Sequence, residues 1–231
     1  MNGIIIIDKP QEWTSNDVVS RLRRVFNTRR IGHGGTLDPM ATGVLPVFVG
    51  RATRGVEFFE HAEKVYETTI RFGLTTDTED ITGKIITETA VSLTEEELQA
   101  VLPRFRGDIL QVPPMYSAIK VNGQKLYDLA RKGREVERQP RSITVYELEM
   151  LEFSGHEARL RVRCSKGTYI RTLCKDIGEA LGCGGCMAAL RRVEAGEYTL
   201  EGSIPLRELL DITERGEDVE HLLRPVDTMF A

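Results

Sequence analysis

The sequence predicts an α+β protein with a mixed, mostly antiparallel central sheet flanked by helices. Three observations carry this. Segments with strand periodicity outnumber helical ones, the two kinds do not alternate as βαβ units require, and no internal repeat imposes a solenoid or propeller. A chain of 231 residues suits one large domain or two small ones.

Taken in order, Gly3 to Ile7 is an apolar run of strand length, ended by Asp8-Lys9-Pro10. Ser15 or Asn16 is placed to cap a helix whose apolar stripe is Val18, Val19, Leu22, Val25 and Phe26. A Gly-rich loop runs from Gly32 to Asp38, followed by Pro39, and Val44 to Val49 reads as a strand. Tyr66, Thr68, Ile70 and Phe72 share one face of a half-buried strand. Thr94-Glu95-Glu96-Glu97 is a capping box opening a helix that Pro103 should end early. Ile143–Phe153 and Arg159–Cys164 form an antiparallel pair, with Leu160, Val162 and Cys164 inward and Arg159, Arg161 and Arg163 outward. Ile170, Leu173, Cys174, Ile177 and Leu181 make a helical stripe stopped by Gly182, and a short helix lies near Leu206 to Leu210. Gln111 to Arg141, rich in base, Gly and Pro with little core, suits an inserted mobile arm, since long loops in compact domains are usually functional.

No apolar run approaches the roughly 20 residues that cross a bilayer, and the first residues lack a secretory pattern. Four Cys make no disulfide framework, so reduced thiols and a cytoplasmic location are expected. The net charge of −4 argues against nucleic acid, but its distribution does not. Val19–Arg30 holds five Arg and no acid, Lys120–Arg141 seven bases against three acids, and Arg159–Lys175 six bases and no acid. Such segregation permits a basic face for phosphates; solvated element faces are the plainer explanation of each cluster.

Gly32-His33-Gly34-Gly35-Thr36-Leu37-Asp38-Pro39 is the densest chemical signal. Pro39 pushes Asp38 out of helical geometry, and the glycines let backbone approach a ligand. Aspartate presented this way into a cleft can serve as nucleophile or base; the plainer alternative is an Asx-turn in a structural loop. Arg171, at a strand-to-helix junction, can pair with a carboxylate or lie on the surface. Tyr66 packs into the core or stacks on a base. Gln111 to Ala118 is either an ordinary loop or, through its Tyr116, a contact to RNA. Cys183 and Cys186 form a lone CxxC, and zinc would need a second pair at matching spacing.

Together and in this order, these segments resemble the TruB family of tRNA pseudouridine-55 synthases, from Gly3 to about Asp227. Asp8-Lys9-Pro10 with Ser15-Asn16-Asp17, His33 to Gly43, Lys64-Val65-Tyr66, Gln111 to Tyr127, Gly167 to Arg171 and Leu190-Arg191-Arg192 resemble six motifs in register. The resemblance implies the pseudouridine synthase fold as one catalytic domain over 1–231, with an RNA-gripping thumb inserted at about 111–141. It implies Asp38 as the essential carboxylate, Arg171 as its partner, and Tyr66 as the residue that stacks on the target base and a candidate acid or base. Tyr169 and Leu190 would line the uridine pocket, Lys9 and Pro10 support it, and His33 enter the RNA loop. Tyr116, Lys120, Lys125, Arg131, Lys132 and Arg141 would contact RNA. The implied partner is the T-arm of transfer RNA, bound by a monomer with no cofactor, no metal and no membrane.

Breaking N1–C1′ of uridine, turning the base and rejoining it through C5 needs a carboxylate, a closed pocket and a proton acceptor, and the base must first leave its stack. Three departures stand out. Gly34 occupies a position where the family usually has Thr, an exchange expected to loosen the catalytic loop. Cys186 stands where His is common, which removes one supporting contact. The chain stops at Ala231, where bacterial relatives usually continue into a small C-terminal RNA-binding (PUA-like) domain, so weaker tRNA affinity is expected. Two other functions compete: a tRNA-binding or tRNA-folding protein without turnover, and an Asp-nucleophile hydrolase for small molecules, which would show no steep salt dependence of binding.

Overall fold

The structure, a computed structural model, describes residues 1–226, so Asp227 and Ala231, where the resemblance and the chain end, lie outside it. Its strands are β1 (Gly3–Lys9), β2 (Ile31–His33), β3 (Thr42–Val49), β4 (Lys64–Phe72), β5 (Leu74–Thr76), β6 (Ile85–Glu88), β7 (Gly107–Gln111), β8 (Lys120–Val121), β9 (Gln124–Lys125), β10 (Arg141–Phe153), β11 (Glu157–Cys164), β12 (Gly185–Ala195), β13 (Tyr198–Thr199) and β14 (Ile204–Pro205). Its helices are α1 (Ser15–Val25), α2 (Val56–Glu60), α3 (Glu95–Val101), α4 (Leu126–Arg131), α5 (Ile170–Ala180) and α6 (Leu206–Glu214). The chain forms two compact units, one of residues 1–66 with 190–231 and one of residues 67–189.

In the first unit the strand order is β14-β1-β3-β12, with β2 on β3 and β13 on β12. The pairings β1/β14 and β3/β12 are parallel; β1/β3, β2/β3 and β12/β13 are antiparallel. The unbroken apolar run of β1 is explained by burial on both faces. Ile5 and Ile7 join the core under α1 and α6 with Val18, Leu22, Leu206 and Leu209, while Ile4 and Ile6 face Val44, Phe48, Phe59 and Tyr198. The cap of α1 is Thr14 rather than Ser15 or Asn16. Its hydroxyl accepts from the Asp17 N–H at 2.9 Å and the Asp17 carboxylate accepts from the Thr14 N–H at 2.9 Å, a capping box one residue earlier than expected.

In the second unit the order is β12-β4-β11-β10-β7. The β10/β11 and β10/β7 pairs are antiparallel. Ala158, Leu160, Val162 and Cys164 of β11 are buried, in the alternation expected of a strand with one covered face. The capping box at Thr94 forms as read, and Pro103 sits in the turn that ends α3. The arm corrects the sequence reading. It is a β8–β9 hairpin and α4 folded over a small core of its own, Met115, Leu126 and Leu129, against which Tyr116, Ile119, Val121 and Val136 pack. It lacks strand-length or helix-length apolar stripes, so only the folded hairpin brings these side chains together. Among the described residues, no helix is long and apolar enough to cross a membrane.

Candidate active site

In the first unit, β2 delivers the chain into the loop that carries Asp38. Its register on β3 sets His33 opposite Val47, and the Gly34 N–H continues the ladder to the Pro46 carbonyl at 2.9 Å. Three buried polar side chains then fix the loop. The Ser15 hydroxyl accepts from the Leu37 N–H at 2.9 Å and faces the Leu37 carbonyl at 3.2 Å. Having lost the cap to Thr14, Ser15 is free to bind the loop to the start of α1. The Lys9 ammonium, fully buried, donates to the carbonyls of Pro10 (2.8 Å), Trp13 (2.7 Å) and Pro39 (3.4 Å). Pro10 thus contributes through its carbonyl. The Arg192 guanidinium, 1% exposed, donates to Val44 (2.8 Å), Gly35 (2.9 Å) and Gly34 (3.5 Å) carbonyls.

Two glycines are needed for this. Gly43 has φ 107°, and a Cβ there would lie 2.1 Å from the Arg192 carbonyl; Gly35 has φ 74°, and its Cβ would lie 3.1 Å from the Arg192 guanidinium. Asp38 itself is half-buried, in a turn closed by the Ala41 N–H on the Asp38 carbonyl at 3.0 Å. Tyr66 and Leu190, both partly buried, pack on the core beneath α1. Arg191, beside them in the chain, chelates Asp8 with two bonds of 3.1 and 2.9 Å.

Burial pushes the Lys9 ammonium down to about 8, against the attraction of Asp38; the positive charge of Arg192 lowers it further. His33 is also lowered, by burial first and then by Arg192, and its Nδ1 is buried without a hydrogen-bond partner. A lysine that binds protons less tightly folded than unfolded penalises folding while it must stay charged. Stability therefore rises with pH between about 8 and the free-lysine value of 10.5, by at most about 1.4 kcal/mol per pH unit from this group. Denaturant titrations from pH 7.5 to 10 should show that rise in the wild type, and Lys9→Met should remove it; an identical profile in both proteins would assign the rise elsewhere.

Gly34 does not loosen the loop. The Phe59 ring fills the place of its side chain, and a Cβ would come 2.3 Å from that ring. Phe59 is held by Phe48 and Tyr198 at centroid distances of 5.8 and 5.6 Å and lies under the Lys64 ammonium. Gly34→Thr is therefore expected to cost about 1–3 kcal/mol by overpacking. Gly34→Thr with Phe59→Ala should recover part of that loss relative to the sum of the two single changes. Strict additivity in urea unfolding would show that the ring and the loop are not coupled.

In the second unit, Tyr169 caps α5 and Arg171 lies in its first turn, 7% exposed. Gln111 exchanges two bonds with the Tyr169 backbone, accepting at 3.0 Å and donating at 3.2 Å. Arg171 donates to the Tyr116 carbonyl at 2.9 Å and the Thr78 carbonyl at 3.3 Å, so it joins the base of the arm to the Thr78–Asp80 loop. In that loop Asp80 accepts from Thr78 and Thr82 hydroxyls, and Glu79, at φ 66°, accepts from Thr172 at 2.7 Å. On the arm, Lys125 and Arg131 sit over the Tyr127 ring at 5.4 and 5.2 Å, while Lys120, Lys132 and Arg141 are exposed. Cys186 is buried and its thiol pushed up to about 11 by burial, the state of an inert core thiol. Among the described residues no cluster of three His, Cys, Asp or Glu is arranged for a metal.

Sequence reasoning missed Ser15 as a loop anchor, Asp8 as the partner of Arg191, and the buried role of Arg192. The Leu190-Arg191-Arg192 run was visible, but paired arginines in a strand read as a solvated face until the fold buries one.

The fold is that of pseudouridine synthases. Among solved structures the chain is 34% identical to one titled as a Cbf5–Nop10–Gar1 complex, with TM-score 0.74 over 95% of this chain and 57% of that one. It is 31% identical to one titled as an H/ACA RNP bound to a substrate RNA containing 2′-deoxyuridine, with TM-score 0.71 over the same shares, 95% and 57%. The chain thus spans little more than half the length of these two. Residues 23–170 match the N-terminal domain of TruB family pseudouridylate synthases, and residues 171–231 the C-terminal domain of tRNA pseudouridylate synthase B. The tRNA pseudouridine synthase B of Stutzerimonas stutzeri (strain A1501) is 49% identical over 99% of this chain and 75% of that protein, and that of Francisella philomiragia 50% identical over 92% and 71%. This chain belongs to the TruB family.

Proposed function

We propose that this protein is a tRNA pseudouridine synthase, an isomerase that converts uridine 55 in the T-arm of transfer RNA to pseudouridine. The carrying observation is the Asp38 loop, which presents a half-buried aspartate from a backbone held at three points by buried Ser15, Lys9 and Arg192. A carboxylate needs such fixed placement when its only task is to act on one ring of a flipped nucleotide.

In this reading Asp38 is the catalytic carboxylate and Arg171 its ion-pair partner. Tyr66 stacks on the uracil and holds the detached base while it turns. Tyr169 and Leu190 enclose it, and Lys9 and Pro10 support the floor. His33, kept neutral by burial and by Arg192, enters the space the uridine leaves. The reaction breaks N1–C1′, forms C5–C1′, removes the proton from C5 and places one on N1, so that product and substrate are isomers. Tyr116, Lys120, Lys125, Arg131, Lys132 and Arg141 place the arm on RNA, as a thumb inserted in one catalytic domain. The protein acts as a cytoplasmic monomer.

The test is to incubate unmodified tRNA transcript with sub-stoichiometric protein and map pseudouridine chemically. Pseudouridine at the T-loop uridine alone, over many turnovers, is the expected result. Binding without product would instead favour a tRNA-folding protein that lacks turnover.

A further inference from the structure

Within the second unit, the arm and the start of α5 meet at one side chain. The β7/β10 ladder ends with Gln111 opposite Arg141, so the neck of the arm closes there and residues 112–140 extend beyond it. Gln111 is 2% exposed, and its amide makes a two-bond fork on the backbone of Tyr169. Its Oε1 accepts from the Tyr169 N–H at 3.0 Å and its Nε2 donates to the Tyr169 carbonyl at 3.2 Å. That carbonyl also accepts from the Leu173 N–H at 3.0 Å, the bond that opens the helix. Gln111 thus grips the residue from which α5 starts.

The grip matters because α5 has no cap of the ordinary kind. Helices commonly fix their first turn with Ser, Thr, Asp or Asn at the cap. Here Tyr169 holds that position, with φ −96°, ψ 108° and no side-chain cap bond. The Thr168 hydroxyl donates to the Ser165 carbonyl at 2.9 Å, but that bond lies within the same turn and ties it to no other element. The placement of the Tyr169 ring therefore depends on the fork from β7. A second tie lies two residues on, where Arg171 donates to the Tyr116 carbonyl of the arm at 2.9 Å. Stability alone does not call for an amide at position 111. An apolar side chain of similar volume would fill the site without burying polar atoms, whereas a fork of donor and acceptor fixes direction.

We propose that Gln111 is a positioning residue for the chemical step: it sets the Tyr169 ring against the target base and makes the neck of the arm and the start of α5 one rigid piece. The inference rests on the RNA-modifying reading above, in which Tyr169 encloses the uracil and the arm contacts RNA. An arm seated on RNA then steadies the pocket wall through Gln111. Loss of the fork lets that wall drift while the groups that bind RNA stay as they are.

The test compares wild type, Gln111→Met, Gln111→Glu and Arg106→Met on unmodified tRNA transcript. Equilibrium affinity and single-turnover rate are measured at a urea-verified folded state. Arg106→Met is the control, since Arg106 also places two bonds on one backbone carbonyl of this unit, that of Leu148, at 3.1 and 2.7 Å. For Gln111→Met the rate should fall at least about tenfold while affinity stays within about threefold, because a displacement of ~1 Å can cost on the order of a hundredfold in rate. Gln111→Glu keeps the acceptor for the Tyr169 N–H and should recover part of the loss. Should Gln111→Met fail to fold, Gln111→Glu carries the same expectation of a slower step at unchanged affinity. The control should react like wild type. A folded Gln111 variant that reacts at the wild-type rate, one that loses affinity and rate in equal measure, or a control that slows as much, would overturn the proposal. A wild type that makes no pseudouridine would overturn the RNA-modifying reading, and this inference with it.

Discussion

Asp38→Asn should leave a folded protein that binds RNA and makes no pseudouridine. The side chain is half-buried, its backbone turn is closed by its own carbonyl, and the loop's anchors come from Ser15, Lys9 and Arg192. Those anchors are supplied by other side chains, and Asn keeps the shape of Asp, so the amide should keep the loop in place. What it removes is the charge, and with it any nucleophilic or basic role. Loss of a group on which the whole chemical step depends costs at least about a thousandfold in rate. Single-turnover assays on tRNA transcript, with enzyme in excess, measure that step directly. A variant within tenfold of wild type would show that the carboxylate positions rather than reacts. One further consequence is a small stabilisation of Lys9 in its neutral form, since Asp38 is the charge that holds its proton. Asp38→Asn should therefore move the start of the alkaline rise in stability to slightly lower pH.

Arg192→Met should have the largest effect on stability of any single change in the first unit. The substitution keeps much of the volume but removes the donors to Val44, Gly34 and Gly35 carbonyls in a site only 1% exposed. Each orphaned carbonyl costs about 1–3 kcal/mol, offset by relief from burying a charge, so a net loss of about 3 kcal/mol or more is expected. Arg192→Lys restores the charge but not the fork of donors, and should recover a minority of the loss. His33 supplies a second readout. Removing the neighbouring guanidinium should raise its proton affinity, visible as an upward move of its imidazole titration by NMR, whereas Arg192→Lys should not. A stable Arg192→Met protein with an unchanged His33 titration would mean that the loop is held by Ser15 and Lys9 alone.

Much of this architecture could be read from residues. The alternation in β4 and β11, the capping box at Thr94 and the apolar stripe of α5 gave those elements their correct faces, because each is a local rule acting on adjacent side chains. The Asp38 loop could be located for the same reason, since Gly, Pro and Asp punctuate chain direction over short distances. What stayed hidden depends on distant partners. β12 holds Arg191 and Arg192 in its middle, which breaks strand periodicity; only pairing with β3 and the carbonyls of Gly34, Gly35 and Val44 makes a buried arginine sensible there. The hydroxyl of Ser15 read as a cap because Thr14 offers the same chemistry one position earlier, and nothing local reveals that Leu37 would take it. The Gly34 departure suggested slack until Phe59, from α2, proved to fill it. The β11 arginines suggested an RNA surface because their acids, Glu67 and Glu147, lie on other strands.

The first unit is assembled from two separated stretches, residues 1–66 and the stretch from residue 190 on, and this orders events during synthesis. The Asp38 loop leaves the ribosome early, but Arg192, which ties it to Val44 and Gly35, is translated 154 residues later (192 − 38). At about 5–20 residues per second the loop waits on the order of ten seconds for its last anchor. The intervening residues 67–189 can fold meanwhile as a finished unit. A nascent chain that has not yet reached Arg192 therefore carries Asp38 without the guanidinium that fixes its loop, however far the rest of the chain has folded.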